Sequence, residues 1–355
     1  MAVTTKQKLP NTTTSNAIKF PRTQYLGSKE KLVQWIFENS PKGIETFFDA
    51  FSGTSVLGYY FKTKGARIIS NDFLKFNYHI AKALIENNTV ILTDSDLALL
   101  FEKNNNAGTL IEEVFTDVFF EREQANFLDN FRANVSLLDN TYKQSLALTI
   151  MNRALTRKIL LGHFAHTSAI RYSKDAARVK RNPSIAKPIK TLFLDLLADY
   201  NNAVFDNKKN HAVFCEDTTT LVKTLENVDV AYFDPPYCGC HPDYQAFYHF
   251  LETFVEYWQD KQFRHGTKAY FPKKDSGFTQ KAEIKPSFEK LFENSQHIPH
   301  WLISYNSKSY PNKDVMIEMI EKHKKVKTFE YEYQNHYGGK GSRKGTKEYL
   351  FYCYD

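Results

Sequence analysis

Cysteine is scarce in this chain, with four in 355 residues: Cys215, Cys238, Cys240 and Cys353. That excludes a disulfide framework and fits a reducing, cytoplasmic setting. Cys238-Gly239-Cys240-His241 offers half of a zinc site, but no second ligand pair stands at zinc spacing, so no metal is expected. No apolar run approaches the ~20 residues that span a bilayer, so no membrane partner is expected. Met1 to Ala17 is polar and lacks the apolar stretch of a secretory signal. Residues 1–18 read as a flexible tail. The G-x-G-x-x-G fingerprint and the phosphate-loop lysine are both missing, which argues against a dinucleotide or ATP as ligand. No internal repeat is evident.

What is present is an ordinary globular composition, 42% apolar and 25% charged. The length implies one large domain with an insertion, or two domains. The formal net charge is +7. Its distribution is more telling than its size. Met151 to Lys190 holds ten Lys/Arg against the single acid Asp175, and His336 to Lys347 holds four against none. The remainder is therefore net acidic. Such asymmetry points to a polyanionic partner.

The chain is best read around Val230-Ala231-Tyr232-Phe233-Asp234-Pro235-Pro236-Tyr237. A short run of β-branched and aromatic residues predicts a buried strand. Two prolines then end it by removing backbone donors and fixing φ. In an open α/β sheet that edge is where ligands bind. The result is a stiff loop carrying a carboxylate, the Pro235 carbonyl and the aromatic face of Tyr237. Those groups can grip a planar base by its exocyclic amino group.

The rest of the chain supplies a context. Strands are expected over Ile44–Asp49 and Arg67–Asn71, with a glycine turn at Ala50–Ser55 and helices over Glu30–Asn39, Val56–Lys62 and Asn77–Asn88. This order opens a doubly wound sheet. Strand signals stop after Leu92. Residues 95–205 are helical in spacing, with helices expected over Val118–Phe131, Tyr142–Leu161 and Pro188–Val204. Between the last two, His163 to Lys187 is basic and aperiodic and reads as an irregular contact loop. So long a helical excursion is an insertion, not a crossover. Strand character resumes at His211–Glu216. A helix is expected over Tyr244–Gln259 and a flap over Gln262–Lys281. Further strands are expected at Trp301–Tyr305, Val326–Tyr333 and Glu348–Tyr354, with a helix at Lys313–His323. Gly338 to Gly345 is too glycine-rich for regular structure.

Four further motifs surround the central one. Phe47-Phe48-Asp49-Ala50-Phe51-Ser52-Gly53 ends a strand in a carboxylate and a glycine turn, which lets backbone approach a nucleoside without phosphate. Asp72 lies about 20 residues on, the spacing of a ribose-binding acid. Asp217 can accept from an adenine amino group or cap the helix after it. Tyr25-Leu26-Gly27-Ser28-Lys29 places a lysine where a ligand carboxylate can meet it.

Together these motifs resemble the alpha group of adenine-specific DNA methyltransferases, the Dam-like family and its restriction-modification relatives. The motif order carries the resemblance: the lysine motif, the glycine turn, the ribose acid, a recognition insert, then Asp-Pro-Pro-Tyr. One departure is Ser55, where the family commonly has a second glycine in the turn. The resemblance implies an α/β fold, a Rossmann-like methyltransferase sheet with an inserted, mainly helical target-recognition domain. It implies a catalytic domain over 19–94 and 206–355 and a DNA-recognition insert over 95–205. It implies S-adenosylmethionine as cofactor, held by Tyr25, Gly27, Lys29, Asp49, Phe51, Gly53, Asp72 and Asp217. Asp234, Pro235, Pro236 and Tyr237 would act on an adenine flipped from double-stranded DNA. Arg171, Lys174, Arg178, Lys180, Arg181, Lys340, Arg343 and Lys344 would contact that DNA. A cognate restriction endonuclease acting separately is compatible with this reading.

Two alternatives remain open at this level. The same tetrapeptide serves cytosine-N4 methylation in DNA and base methylation in ribosomal RNA. A nucleic-acid-binding module without turnover is the other, although such a module needs none of Asp234, Asp49, Asp72 and Lys29.

Overall fold

The computed structural model describes residues 19–239, 243–258, 260–274, 276–332 and 346–355. The chain opens with α1 (Val33–Glu38), β1 (Thr46–Asp49), α2 (Val56–Thr63), β2 (Arg67–Asn71) and α3 (Lys75–Ala81). The helix expected over Asn77–Asn88 thus begins earlier. Its second half, Lys82–Glu86, is π-wound. The fully buried Lys62 donates to the carbonyls of Leu84, Ile85 and Asn87 there. An ammonium at a helix C-terminus satisfies carbonyls that the regular ladder leaves over.

The helical excursion follows: α4 (Asp94–Phe101), α5 (Leu110–Phe115), α6 (Arg122–Val135), α7 (Thr141–Lys158), α8 (Ala169–Ser173), α9 (Ala176–Arg181) and α10 (Ile189–Ala203). Side-chain caps set several starts. Thr93 and Asp96 form a capping box on α4, Asn140 caps α7 and Asp175 caps α9. Two expectations need correction. The helix expected from Val118 starts only at Arg122, because Thr116 and Phe120 pair in an isolated bridge. His163 to Lys187 is not irregular throughout. It holds α8, α9 and a 3-10 turn at Pro183–Ile185. Helices under two turns long give too few repeats for a period to show.

The remaining elements are β3 (Ala212–Phe214), α11 (Thr218–Leu221), β4 (Val230–Phe233), α12 (Tyr244–Glu256), β5 (Gln262–Phe263), β6 (Tyr270–Phe271), α13 (Ile284–Asn294), β7 (His300–Asn306), α14 (Lys313–Glu321), β8 (Lys325–Glu332) and β9 (Lys347–Tyr354). The expected flap contains the β5–β6 hairpin, with Tyr270 and Phe278 buried. Helix α13 was not expected at all. The loop with Lys340, Arg343 and Lys344 lies outside the described residues, as do Cys240 and His241.

Seven strands form one sheet in the order β3-β2-β1-β4-β7-β9-β8. The pairs from β3 to β7 are parallel, and β9 runs antiparallel between β7 and β8. Successive residues of β1 face opposite layers. Phe47 packs with Ile68, Phe61 and Tyr232, whereas Phe48 packs with Ile69, Ala231 and Trp301. The excursion helices share the first of these cores: Phe131, Leu146, Ile150, Leu155 and Phe193 belong to the same buried cluster as Phe47. From β1 the chain winds outward through β2 to β3, then returns to place β4 on the other side of β1. The strand order therefore switches between β1 and β4, where a crevice opens at the carboxyl ends. Among the described residues no helix is long and apolar enough to cross a membrane.

Candidate active site

The crevice between β1 and β4 is a partly open cavity, with about 690 Å³ of empty space that includes open solvent. Its wall includes Tyr25, Gly27, Lys29, Asp49, Phe51, Gly53, Asp72, Asp234, Pro235, Pro236 and Tyr237. Asp217 lies instead on an adjoining cleft, which shares Phe51 and Pro236 with the first. Its Oδ1 accepts from Thr220 N and Thr219 Oγ1, so it caps α11.

Asp49 closes β1 with its side chain 1% exposed. Gly58 N, in the first turns of α2, donates to its Oδ2 at 3.2 Å. Burial, reinforced by nearby Asp234 and Asp72, raises its pKa to about 7. Asp72 follows β2. Its Oδ2 accepts from Gly53 N at 2.9 Å and its Oδ1 from Leu74 N at 2.9 Å. Burial raises its pKa to about 6 against those hydrogen bonds. Between the two acids, the turn takes a left-handed residue at Gly53 and again at Ser55, with φ of 49° and 61°. Ser55 therefore adopts the conformation that a second glycine would. Asn71, fully buried, ties the neighbouring strand ends together: it donates to Ala50 O, Glu216 O and Thr218 Oγ1.

Tyr25 stacks on Tyr244 and Tyr248 with ring centroids 5.6 and 4.6 Å apart. Tyr248 Oη also accepts from Leu26 N at 2.8 Å. Both tyrosines belong to α12, so the helix that follows the Asp-Pro-Pro-Tyr loop also fixes the lysine loop. Gly27, at φ 78°, lies against Tyr244, whose hydroxyl leaves no room for a Cβ there.

Lys29 lines the same cavity. Lys29 Nζ donates to both oxygens of Asp234, at 2.7 and 2.6 Å, and lies 4.9 Å from the centroid of the Tyr237 ring. Its ammonium therefore stands at the Asp-Pro-Pro-Tyr loop. The Tyr237 hydroxyl donates toward Asp234 Oδ1 at 2.9 Å and Glu348 Oε1 at 2.5 Å. Burial raises the Asp234 pKa, and Lys29 opposes that rise.

Sequence reasoning missed three site residues. Asn77 on α3 lines the cavity and donates to Tyr25 Oη, while its Oδ1 is buried without a partner among the described residues. Tyr244 forms the aromatic wall described above. Glu348 is 3% exposed near the start of β9, and burial raises its pKa. Its signal was legible: an acid at an inward position of a strand that otherwise buries Leu350, Phe351 and Cys353.

On the insert, Arg171, Lys174, Lys180 and Arg181 are exposed and Arg178 is half-buried. Lys174 pairs with Glu121 at 2.9 Å, Arg178 with Asp175 at 3.2 Å, and Arg178 also lies 4.0 Å over the Tyr172 ring.

Comparison with known proteins adds the following. The family model described as D12 class N6 adenine-specific DNA methyltransferase matches residues 25–319. Type II methyltransferase M2.HphI of Haemophilus parahaemolyticus is 33% identical over 347 residues, covering 95% of this chain and 98% of that protein. Type II methyltransferase M.NlaIII of Neisseria lactamica is 24% identical, covering 91% and 95%. Type II methyltransferase M.FokI of Planomicrobium okeanokoites is 27% identical over 93% of this chain, which spans 52% of that longer protein.

Proposed function

The chain belongs to the D12 class of N6 adenine-specific DNA methyltransferases, and from that premise we propose that S-adenosylmethionine is its methyl donor and that Asp234 grips the target. The observation that carries the reading is the meeting of Asp49, Asp72 and Asp234 on one cavity at the strand-order switch.

The cavity fits such a donor. Asn77 Oδ1 and Ser52 Oγ line it without partners among the described residues, so polar ligand atoms have places to go. Two carboxyls held above their usual pKa favour a ligand with positive charge. Asp72 would take the ribose hydroxyls, and the Gly53 turn would admit the nucleoside close to backbone. Asp217, on the adjoining cleft, keeps an oxygen for the adenine amino group. When bound, the donor supplies an electrophilic methyl on a sulfonium.

The target amino group is a weak nucleophile because its lone pair is conjugated into the ring. The Asp234 carboxylate and the Pro235 carbonyl would each accept one of its protons. That draws the nitrogen toward tetrahedral geometry and frees the lone pair. The site supplies position and fixed dipoles rather than a covalent intermediate. Tyr237 would stack on the base, worth ~1–3 kcal/mol by analogy with other base–aromatic stacks. Flipping the base costs a few kcal/mol, and the basic face around Arg171, Lys180 and Arg181 would offset this through phosphate contacts. We read the biological role as the modification half of a restriction-modification pair, with a separate endonuclease. The relatives above are named as Type II methyltransferases.

The test is product analysis. The protein is incubated with labelled S-adenosylmethionine and unmodified duplex DNA, and the digest is separated into nucleosides. Label in N6-methyladenine supports the reading, whereas label in N4-methylcytosine, or only in RNA, contradicts it.

A further inference from the structure

The crowding around Asp234 raises a question the reaction itself does not answer. The carboxylate that must receive the target amino group is already engaged by two donors, Lys29 Nζ on both oxygens and the Tyr237 hydroxyl on one. An arriving amino proton must share those oxygens, where three of about four acceptor sites are already taken, so it competes with both donors. Lys29 Nζ also donates to Gly27 O at 3.3 Å, and the two donors share one further carboxylate within reach. Glu348 Oε1 lies 2.5 Å from the Tyr237 hydroxyl and 3.6 Å from Lys29 Nζ. A phenol carries one proton, so the hydroxyl bonds one carboxylate at a time. The ammonium carries three and can slide between acceptors without losing its charge compensation.

The location of Glu348 suits that task. It sits at the inner position of β9, opposite Asn306 of β7 and Tyr331 of β8, with its side chain 4% exposed. A buried carboxylate with no structural partner would be costly. This one lies within reach of both donors that engage Asp234. β9 is paired with a strand on either side at this position.

From this we infer that Glu348 is a positioning residue. It receives the Tyr237 hydroxyl and the Lys29 ammonium when the target amino group takes Asp234. The inference rests on the role proposed above for Asp234. Its consequence is an exchange: the ammonium shifts from one carboxylate to the other, and each carboxylate keeps at least one hydrogen-bond donor at both stages. Tyr237 is pinned by its hydroxyl throughout, which holds its ring at a fixed angle for the base.

The test uses Glu348→Gln, which keeps shape but cannot neutralise the ammonium. Lys29 then stays on Asp234 and competes with the base. The single-turnover rate at saturating donor and duplex is expected to fall roughly ten- to a hundredfold, the scale of a charged hydrogen bond. Dissociation constants for S-adenosylmethionine and duplex are expected to stay within about threefold. Tyr237→Phe removes the same link from its other end and keeps the ring. The two changes combined are expected to cost less than the product of their separate losses. A Glu348→Gln enzyme as fast as wild type overturns the inference, and so does full multiplicativity. Equal losses in rate, donor binding and thermal stability also overturn it, since they mark a merely structural residue. Should Glu348→Gln fail to fold, Tyr237→Phe alone decides: a slower rate with unchanged binding supports the exchange, and an unchanged rate refutes it. A wild-type enzyme that marks no adenine in any duplex defeats both this inference and the reading beneath it, whereas a fast Glu348→Gln enzyme defeats this one alone.

Discussion

At the scale of single residues, the site is a set of buried acids whose charge is deferred. Asp49 and Asp72 hold pKa values of about 7 and 6 because burial disfavours their ionised forms. A cationic donor reverses that preference. Below its pKa each carboxyl is neutral, and donor binding must release its proton. Donor affinity is therefore expected to rise with pH from about 5.5 to 7, by at most about tenfold per unit for each group, and then level off. Calorimetry in buffers of different ionisation enthalpy should show proton release at pH 6; a flat affinity with no release would mean that these acids do not sense the donor. Ser55 offers a second residue-scale test. It holds φ at 61° with a buried hydroxyl that lacks a partner among the described residues. Left-handed backbone costs a non-glycine residue roughly 1–2 kcal/mol, partly offset by the entropy that glycine loses. Ser55→Gly is expected to leave stability unchanged or raise it by up to about 1 kcal/mol. Ser55→Val, β-branched at the same φ, is expected to lower it. Urea midpoints of the two variants decide, and a Gly variant clearly less stable than the Val variant would contradict this account of the turn.

At the scale of elements, α12 couples the two halves of the site. Its tyrosines hold the lysine loop, and its Glu252, 1% exposed, accepts from Lys75 N and Phe76 N at the start of α3. Lys274, beyond β6, pairs with the same carboxylate at 2.8 Å and donates to Phe73 O, which lies beside Asp72. Glu252→Ala would leave two helix-start amides and an ammonium without their acceptor. The expected loss is about 3 kcal/mol in urea denaturation, the scale of breaking a buried ion pair; a loss under about 1 kcal/mol would show that α3 holds itself. None of this was legible in the sequence, because the pairing spans residues 75 to 274. The strands were legible for the opposite reason. Val230–Phe233 is short and apolar, and Arg67–Asn71 carries the β-branched pair Ile68-Ile69 between turn residues, so local pattern suffices. Helices α8 and α9 were missed because five or six residues give no period, whereas α13 was legible and overlooked: Ile284, Phe288, Leu291 and Phe292 stand at i, i+4, i+7 and i+8, just after the polar stretch read as a flap.

At the scale of the whole molecule, the strand-order switch between β1 and β4 gathers motifs that stand up to about 200 residues apart in the chain. Motif order and strand-end acids were readable, so eleven residues singled out for donor and target reached one cavity. What was not readable is who pairs with whom inside it. Spacing cannot say that Lys29 reaches Asp234, or that Glu348 meets Tyr237. The basic face belongs to this scale too. Arg171, Lys180 and Arg181 are exposed, whereas Lys174 and Arg178 are already in ion pairs. Replacing the first three by glutamine is expected to weaken duplex binding and to flatten its dependence on log salt by ~1–3, one unit for each lost phosphate contact. An unchanged slope would show that this face does not meet DNA.

The account turns on Asp234 as the group that holds the target amino nitrogen in place. Single-turnover methyl transfer by Asp234→Ala, with duplex binding measured on the same preparation, reads that role directly. Transfer is expected to drop below detection while duplex affinity stays within several-fold of wild type. Transfer at the wild-type rate per bound complex, with binding lost instead, would contradict it.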